Sequence, residues 1–144
     1  MITIRKMIKE DITELAVLYK EFWGDNSDIN KMNRTFDYLQ KNPDYIHLSA
    51  VIDNQLAGSV MGIVCHELYG DCHPFMVVED MIVSKEYRNQ GVGYQLFTAL
   101  EKHARDCGCT QILLVTEENR HDAKRFYESM GFPANKNKGY KKKL

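Results

Sequence analysis

No apolar run in this chain approaches the length needed to cross a bilayer. The first ten residues, Met1 to Glu10, already carry Arg5 and Lys6, so no signal peptide is expected there. Charge of one sign is also missing. Nineteen Lys and Arg against 20 Asp and Glu leave −1, which argues against a protein built to grip nucleic acid, since that requires a positive surplus. The four cysteines, Cys65, Cys72, Cys107 and Cys109, are not needed as staples in a chain of this size and suit a reducing, cytoplasmic compartment. Cys65-His66, Cys72-His73 and the i, i+4 pair His103 and Cys107 bring donors together, but C-x-x-C and H-x-x-x-H spacings are absent, so no metal is expected. Cys107 reads instead as a small apolar residue near a helix end, with Gly108 as the cap. Repeats, linkers and low-complexity segments are absent as well. What is present is a 144-residue, 44% hydrophobic chain, enough for one core and short for two, so residues 1–144 are expected to form a single domain.

Hydrophobic spacing divides this chain. Ile2 to Met7 reads as a short strand. Asp11, with Glu14 three residues on, reads as N-cap and capping partner of a helix whose Ile12, Leu15, Ala16, Tyr19, Phe22 and Trp23 keep helical spacing to Gly24. A second helix runs from about Asp28 to Lys41, with Ile29, Met32, Phe36 and Leu39 on one face, and Asn42-Pro43 stops it. Alternation at Ile46, Leu48, Ala50 and Ile52 gives a half-buried strand, and Asp53-Asn54 a tight hairpin turn into a strand from Gln55 to about His66. After a loop from Glu67 to Pro74, Phe75 to Val83 forms another strand. Val92, Leu96, Ala99, Leu100, Ala104 and Cys107 line a third helix. The apolar run Ile112 to Val115 suits a strand buried on both faces and parallel to its predecessor. A short helix carries Ala123, Phe126, Tyr127 and Met130, closed by Gly131. The tail from Phe132 to Leu144 has room for two short strands, with Lys136, Lys138 and Lys141 to Lys143 as a solvated edge.

The most informative stretch is Met76 to Tyr94, where a strand pattern breaks at Arg88-Asn89-Gln90-Gly91-Val92-Gly93 and a helical pattern begins at once. Two glycines two apart let backbone pass close to a ligand, and the following helix start offers unpaired N–H groups and partial positive charge to an anion. Arg88 adds a cation at the rim. A dinucleotide fingerprint starting at Gly91 would need glycine where Leu96 stands, and a Walker loop would need Gly-Lys-Ser/Thr, which the chain lacks. A pyrophosphate cradle and a merely glycine-softened turn both remain open on these residues alone.

R-x-x-G-x-G between strand and helix resembles the coenzyme A loop of the GCN5-related N-acetyltransferases, the GNAT family. Asn119-x-x-x-Ala123-x-x-Phe126-Tyr127-x-x-x-Gly131-Phe132 resembles the second signature of that family, in the right order. The likeness extends over nearly the whole chain and is strongest from Glu79 to Phe132. Asn89 stands where many members carry glycine, and proline is missing near Ser84 and Lys85. The resemblance implies an α/β, mixed-sheet acyl-CoA N-acyltransferase fold, with splayed parallel strands and four flanking helices. It implies acetyl-CoA as cofactor and acetyl transfer to an amine. The backbone of Met81, Ile82 and Val83 would take the pantetheine arm, with the Met81 N–H polarising the thioester carbonyl. Arg88, Asn89, Gln90, Gly91, Val92, Gly93 and Tyr94 would wrap the pyrophosphate. Asn119 would contact the cofactor, and Tyr127 would lie near its sulfur.

The chemistry adds two requirements. A lysine-like amine with a pKa of about 10.4 must lose a proton before it attacks. Glu79 and Asp80 interrupt an apolar strand where a carboxylate needs a reason. Alternation lets at most one of them face the acceptor unless a bulge intervenes, and Glu79 is favoured. The departing thiol needs a proton, which Tyr127 would supply by its family position, although Phe126 and Tyr127 also suit core aromatics. Trp23, Asp25, Asp28, Tyr38 and the loop Glu67 to Phe75 are candidate walls for the acceptor. Glu79-Asp80 also resembles the glucosamine-phosphate branch, over too short a stretch to assign a sugar. The expected partner is a small-molecule amine, with no nucleic acid or membrane, and a homodimer is compatible with the sequence. A non-catalytic acyl-CoA sensor and a protein lysine or N-terminal acetyltransferase are the alternatives.

Overall fold

The computed structural model describes residues 1–144. The chain divides into two units, Met1–Leu113 and Leu114–Leu144, and the first contains the whole sheet. Its strands are β1 (Thr3–Lys6), β2 (Tyr45–Ile52), β3 (Gln55–Cys65), β4 (Phe75–Val83) and β5 (Ile112–Leu113), side by side in that order. The first four run antiparallel to their neighbours, and β5 runs parallel to β4. The expected hairpin is present: Asp53 and Asn54 take φ of 48° and 63°, the left-handed pair that a two-residue turn demands.

Three helices belong to this unit: α1 (Ile12–Trp23), α2 (Ile29–Leu39) and α3 (Val92–Asp106). Along α3 the spacing read from the sequence buries Val92, Leu96, Leu100 and Ala104, and Phe97 joins them. The helix closes on β3 because Gly58 and Gly62, four apart on one strand face, leave room for it. A Cβ at Gly58 would crowd Leu96 Cδ1 at 3.2 Å and Val92 Cγ1 at 3.3 Å on α3, and one at Gly62 would meet Leu100 Cδ1 at 2.7 Å. Met7, Ile12, Leu15, Leu18, Phe36, Leu56 and Ile82 form a second cluster, with Tyr19, Phe22 and Met32 packed against it.

Asp11 does not cap α1 as expected. Its backbone is already helical and its side chain makes no bond to the start of the helix. The carboxylate accepts two 2.7 Å hydrogen bonds from Arg5, one of 2.7 Å from the Ser49 hydroxyl and one of 3.1 Å from the Ile8 N–H. A short 3-10 turn, Lys9–Asp11, precedes α1 and turns the side chain back toward β1 and β2. Glu14, expected to complete the capping box, instead accepts the Leu56 N–H at 2.6 Å. Asp28 does cap α2, accepting the Lys31 N–H at 3.0 Å.

The expectation of a fifth strand buried on both faces is corrected. β5 is two residues long, Leu113 is 46% exposed and Val115 60%. It is the outer strand with β4 as sole neighbour, and an apolar run cannot say whether anything covers its far side. The β4–β5 ladder pairs Met76 with Ile112 and Val77 with Leu113 and stops, while β4 continues to Val83. The ladder therefore covers only the first part of β4.

The second unit holds α4 (His121–Ser129). Its end is a Schellman cap: the Gly131 N–H bonds the Glu128 carbonyl at 3.0 Å, the Phe132 N–H bonds that of Tyr127 at 3.1 Å, and Gly131 takes φ of 96°. The Tyr127 and Phe132 rings lie 5.8 Å apart, the apolar contact that usually accompanies such a cap. The two short strands expected after Phe132 are absent. Residues 132–144 lack strand alternation and are rich in lysine and asparagine, which favour solvent over a ladder. Lys141 reaches Glu117 at 3.9 Å, and Lys138 lies over Tyr140 at 5.4 Å. Neither unit has a helix long and apolar enough to cross a membrane.

Candidate active site

The condition attached to the strand-face reading is met, because a bulge does intervene. Met61 pairs with Glu79 and Ser59 with Ile82, so Val60 alone faces the two residues Asp80 and Met81. Asp80 takes φ of +52°, a conformation that costs a non-glycine residue on the order of 1 kcal/mol and needs its surroundings to enforce it. Alternation is interrupted, and Glu79 and Asp80 both reach solvent, while Val78 before them and Ile82 after are buried. Surrounding protein desolvates the Asp80 carboxyl and raises its pKa. Tyr19 on α1 is one of those neighbours: burial first, then the negative charge of Asp80, push its phenol far up. Sequence reading left Tyr19 among the core positions. Its ring lies 5.2 Å from Trp23, which in turn lies 4.8 Å from Phe22.

Beyond the bulge, the edge of β4 that faced β5 has no ladder partner in this unit after Val77. Met81 and Val83 are half-buried along it. Ser84 then leads into a 3-10 turn, Lys85–Tyr87. Arg88 follows and donates from Nε to the Val83 carbonyl at 3.2 Å, which fixes the guanidinium beside the strand end. Asn89 at φ 59° and Gly91 at 84° turn the chain, the left-handed geometry that asparagine tolerates and glycine adopts freely. Gln90 Nε2 ties the loop to the Glu86 carbonyl at 2.9 Å. Gly91 is the N-cap of α3, and its carbonyl receives the first helical bond, from Gln95, at 3.0 Å.

The two glycines are therefore not equivalent. Gly91 needs its conformation, and a Cβ there would meet nothing within 4 Å, so the space before the turn is open. Gly93 is the second residue of α3 and takes no positive φ. The N–H groups of Val92, Gly93 and Tyr94 lie in the first turn, where no intrahelical partner exists. Val92 contributes backbone only, since its side chain is buried. An open left-handed glycine, the start of a 15-residue helix and a tethered arginine fit a diphosphate.

Asn119 and Tyr127 belong to the second unit and are described within it. Asn119 is exposed in a turn, where its carbonyl accepts the His121 N–H at 3.1 Å. The Tyr127 ring stands edge-on to Phe126 at 5.2 Å and to Phe132. Among the proposed acceptor walls, Asp28 is occupied in capping, whereas Trp23, Asp25 and Tyr38 are exposed. The loop after β3 turns on a Cys72 N–H to Tyr69 carbonyl bond of 3.0 Å and leaves Leu68 and Tyr69 in solvent. All four cysteines are free thiols, and Cys107, read from the sequence as a small apolar residue near a helix end, is exposed there with Sγ 3.6 Å from His103 Nε2. Gly58 and Gly62 were missed. An isolated glycine in a strand pattern was the available sign.

The profile of the Acetyltransferase (GNAT) family matches residues 11–132. An aminoglycoside N(6')-acetyltransferase type 1 from Salmonella enteritidis is 23% identical over 134 residues, covering 90% of each chain. Among solved structures, one described as a transcriptional regulator from Bacillus halodurans C-125 superposes with a TM-score of 0.91 at 23% identity, covering 100% of both chains. AAC(6')-Iy, in complex with the bisubstrate analogue CoA-S-monomethyl-acetylneamine, does so with a TM-score of 0.82 at 19% identity, covering 100% of this chain and 99% of its own.

Proposed function

The chain belongs to the GNAT acetyltransferase family, and from that premise we propose that it moves an acetyl group from acetyl-CoA to a primary amine of a small, cationic acceptor by direct attack. The observation that carries this reading is the placement, on one continuous segment, of a bulged carboxylate pair, an unpaired strand edge and an open left-handed glycine at the start of α3. Acetyl-CoA, when bound, supplies an activated acyl carbon. The first-turn N–H groups of Val92, Gly93 and Tyr94, with Arg88, Asn89, Gln90 and Gly91, hold the diphosphate. Backbone groups of Met81, Ile82 and Val83 hold the pantetheine arm, and the Met81 N–H is the donor for the acyl oxygen.

Asp80, rather than Glu79, is the preferred base. Desolvation raises its pKa above that of an ordinary aspartate, which tunes it toward accepting a proton, and the bulge removes the alternation argument that favoured Glu79. It takes the ammonium proton directly or through one water. Tyr127 is kept as the donor to the departing thiol, and Asn119 as a cofactor contact, on the family signature alone. Exposed Trp23 and Tyr38 with Asp25 supply aromatic and acidic surface suited to a polyamine or amino-sugar, in keeping with relatives described as aminoglycoside acetyltransferases. Four free thiols support a reducing, cytoplasmic setting, and we keep one domain over residues 1–144, with a homodimer left to light scattering. Thiol release from acetyl-CoA, measured across aminoglycosides, polyamines, amino acids and lysine peptides, is the test. Acceptor-stimulated release with a small amine supports the reading. Slow hydrolysis that no acceptor stimulates would favour a non-catalytic sensor, and stimulation by lysine peptides alone a protein acetyltransferase.

A further inference from the structure

The turn that begins the cofactor loop has no cap of its own. Ser84, at the N-cap position of the 3-10 turn Lys85–Tyr87, makes no side-chain bond to it. The bond comes from elsewhere: the Lys85 N–H donates to Glu21 Oε1 at 3.1 Å, across 64 residues of chain. Glu21 lies in the last turn of α1, two residues after Tyr19, the neighbour of Asp80. Further ties hold the same turn, from the Ser84 N–H to the Ala57 carbonyl at 2.9 Å and from the Tyr87 hydroxyl to Gln55 Oε1 at 3.0 Å. Both of those lead to β3. Only the Glu21 bond leads to the helix that lines the carboxylate side of the site.

We infer that Glu21 is a positioning residue that sets the cofactor loop from α1, so that the acceptor-side helix and the diphosphate cradle move as one. The inference rests on the cradle reading above. A carboxylate accepting from a turn N–H is a charge-assisted cap, and the loop from Arg88 to Gly91 hangs from that turn with two left-handed residues in it. Loosening the turn lowers the fraction of molecules whose loop is ready for the ligand, and apparent affinity falls by the same factor. The chemistry, once the ligand is seated, is untouched.

The fold contains its own control. Glu14 lies seven residues earlier on α1 and accepts the Leu56 N–H at 2.6 Å. That is the same kind of bond from the same helix, but it reaches the turn only at second hand, since Leu56 lies between Gln55 and Ala57, the β3 residues that hold the turn. Calorimetric titration of coenzyme A into Glu21→Ala, Glu21→Gln, Glu14→Ala and Gly91→Val, with thermal melts of each, separates the possibilities. Glu21→Ala is expected to raise the dissociation constant about threefold to tenfold. Glu21→Gln, which keeps an acceptor oxygen, is expected to stay within about twofold. Glu14→Ala is expected to lower the melting temperature and to raise the dissociation constant less than Glu21→Ala does. In turnover, Glu21→Ala raises KM for acetyl-CoA and leaves kcat at saturation near wild type. If Gly91→Val weakens binding while Glu21→Ala matches wild type, or if Glu14→Ala weakens it as much, the inference is overturned and the cradle stands. If Gly91→Val binds normally, the cradle itself is wrong.

Discussion

Met1–Leu113 contains every buried residue of the chain, and Leu114–Leu144 contains none. The candidate functional residues are split between these units, and their geometry has different origins. In the first, tertiary packing dictates it: a bulge forces Asp80 into a left-handed conformation, two strand glycines admit α3, and a buried carboxylate network fixes the start of α1. In the second, the end of α4 is set by local bonds. Gly131 and Phe132 end α4 in a Schellman cap, and the Tyr127 ring is the residue that Phe132 packs on. A motif such as Tyr127-x-x-x-Gly131-Phe132 thus has a structural reason to exist even without catalysis, whereas two adjacent carboxylates in a bulge do not.

The largest effect expected from this contrast is at Asp80. Asp80→Asn should lower turnover about a hundredfold, the typical cost of losing a general base, and Glu79→Gln should do less. Stability should move the other way. A carboxyl whose folded pKa lies above its unfolded value stabilises the fold most when protonated, and that contribution is lost as pH rises through the folded pKa. At neutral pH the charge is therefore a burden, and asparagine suits φ of +52° as well as aspartate does. Melting curves with pH-rate profiles check both halves. A variant that melts well below wild type, or a larger loss from Glu79→Gln, would return Asp80 to a structural role.

Asp11 is the opposite case within the same unit. Burial alone would raise its pKa, but the Arg5 hydrogen bonds, aided by Ile8 and Ser49, outweigh that and hold it below 3.8. Because the folded value is the lower one, the stabilisation is full above the unfolded pKa and is lost as pH falls through the folded one. Asp11→Asn should cost about 2 kcal/mol at neutral pH by leaving Arg5 without its ion pair. The gap from wild type should begin to narrow in denaturant melts below about pH 4 and close only once the pH is below the folded pKa. A gap that persists in acid would mean that packing, not charge, is what the substitution removes.

The cradle is next in size. Gly91→Val places a branched side chain at φ 84°, strained in itself, in the open space before the first turn of α3. Coenzyme A affinity should fall at least tenfold, about 1.4 kcal/mol. The buried core of the first unit should be unaffected, as amide protection of β2 and β3 would report. Normal affinity in a folded variant would place the diphosphate elsewhere.

Legibility followed the same division of causes. Periodicity and turn chemistry placed every helix and the four long strands, because both are local: the Asp53-Asn54 turn, the Gly24 and Gly108 helix ends and the stripe of α3 are readable residue by residue. What was hidden depended on a distant partner. Asp11 looked like a cap because capping is the local use of aspartate, while its real partners are Arg5 and, 38 residues away, Ser49. The bulge lay in the pairing of β3 with β4, which neither strand encodes alone, so the two carboxylates were assigned to faces by alternation. Ile112 to Val115 looked buried because its composition is apolar, but coverage is a property of neighbours.

Tyr127 is where the two units can be told apart by one atom. Tyr127→Phe keeps the ring, its edge-on contacts with Phe126 and Phe132 and the Schellman cap of α4, so the amide exchange at the end of α4 should match wild type. If the family role holds, turnover under conditions where chemistry limits the rate should fall roughly tenfold, below the usual range for a general acid because water substitutes in part. Tyr127→Leu separates the contributions further: it removes hydroxyl and aromatic contact together, and should add faster exchange across the end of α4 to the same loss of turnover. If Tyr127→Phe turns over at the wild-type rate and only Tyr127→Leu is impaired, the tyrosine belongs to the helix cap, and the proton for the departing thiol comes from elsewhere.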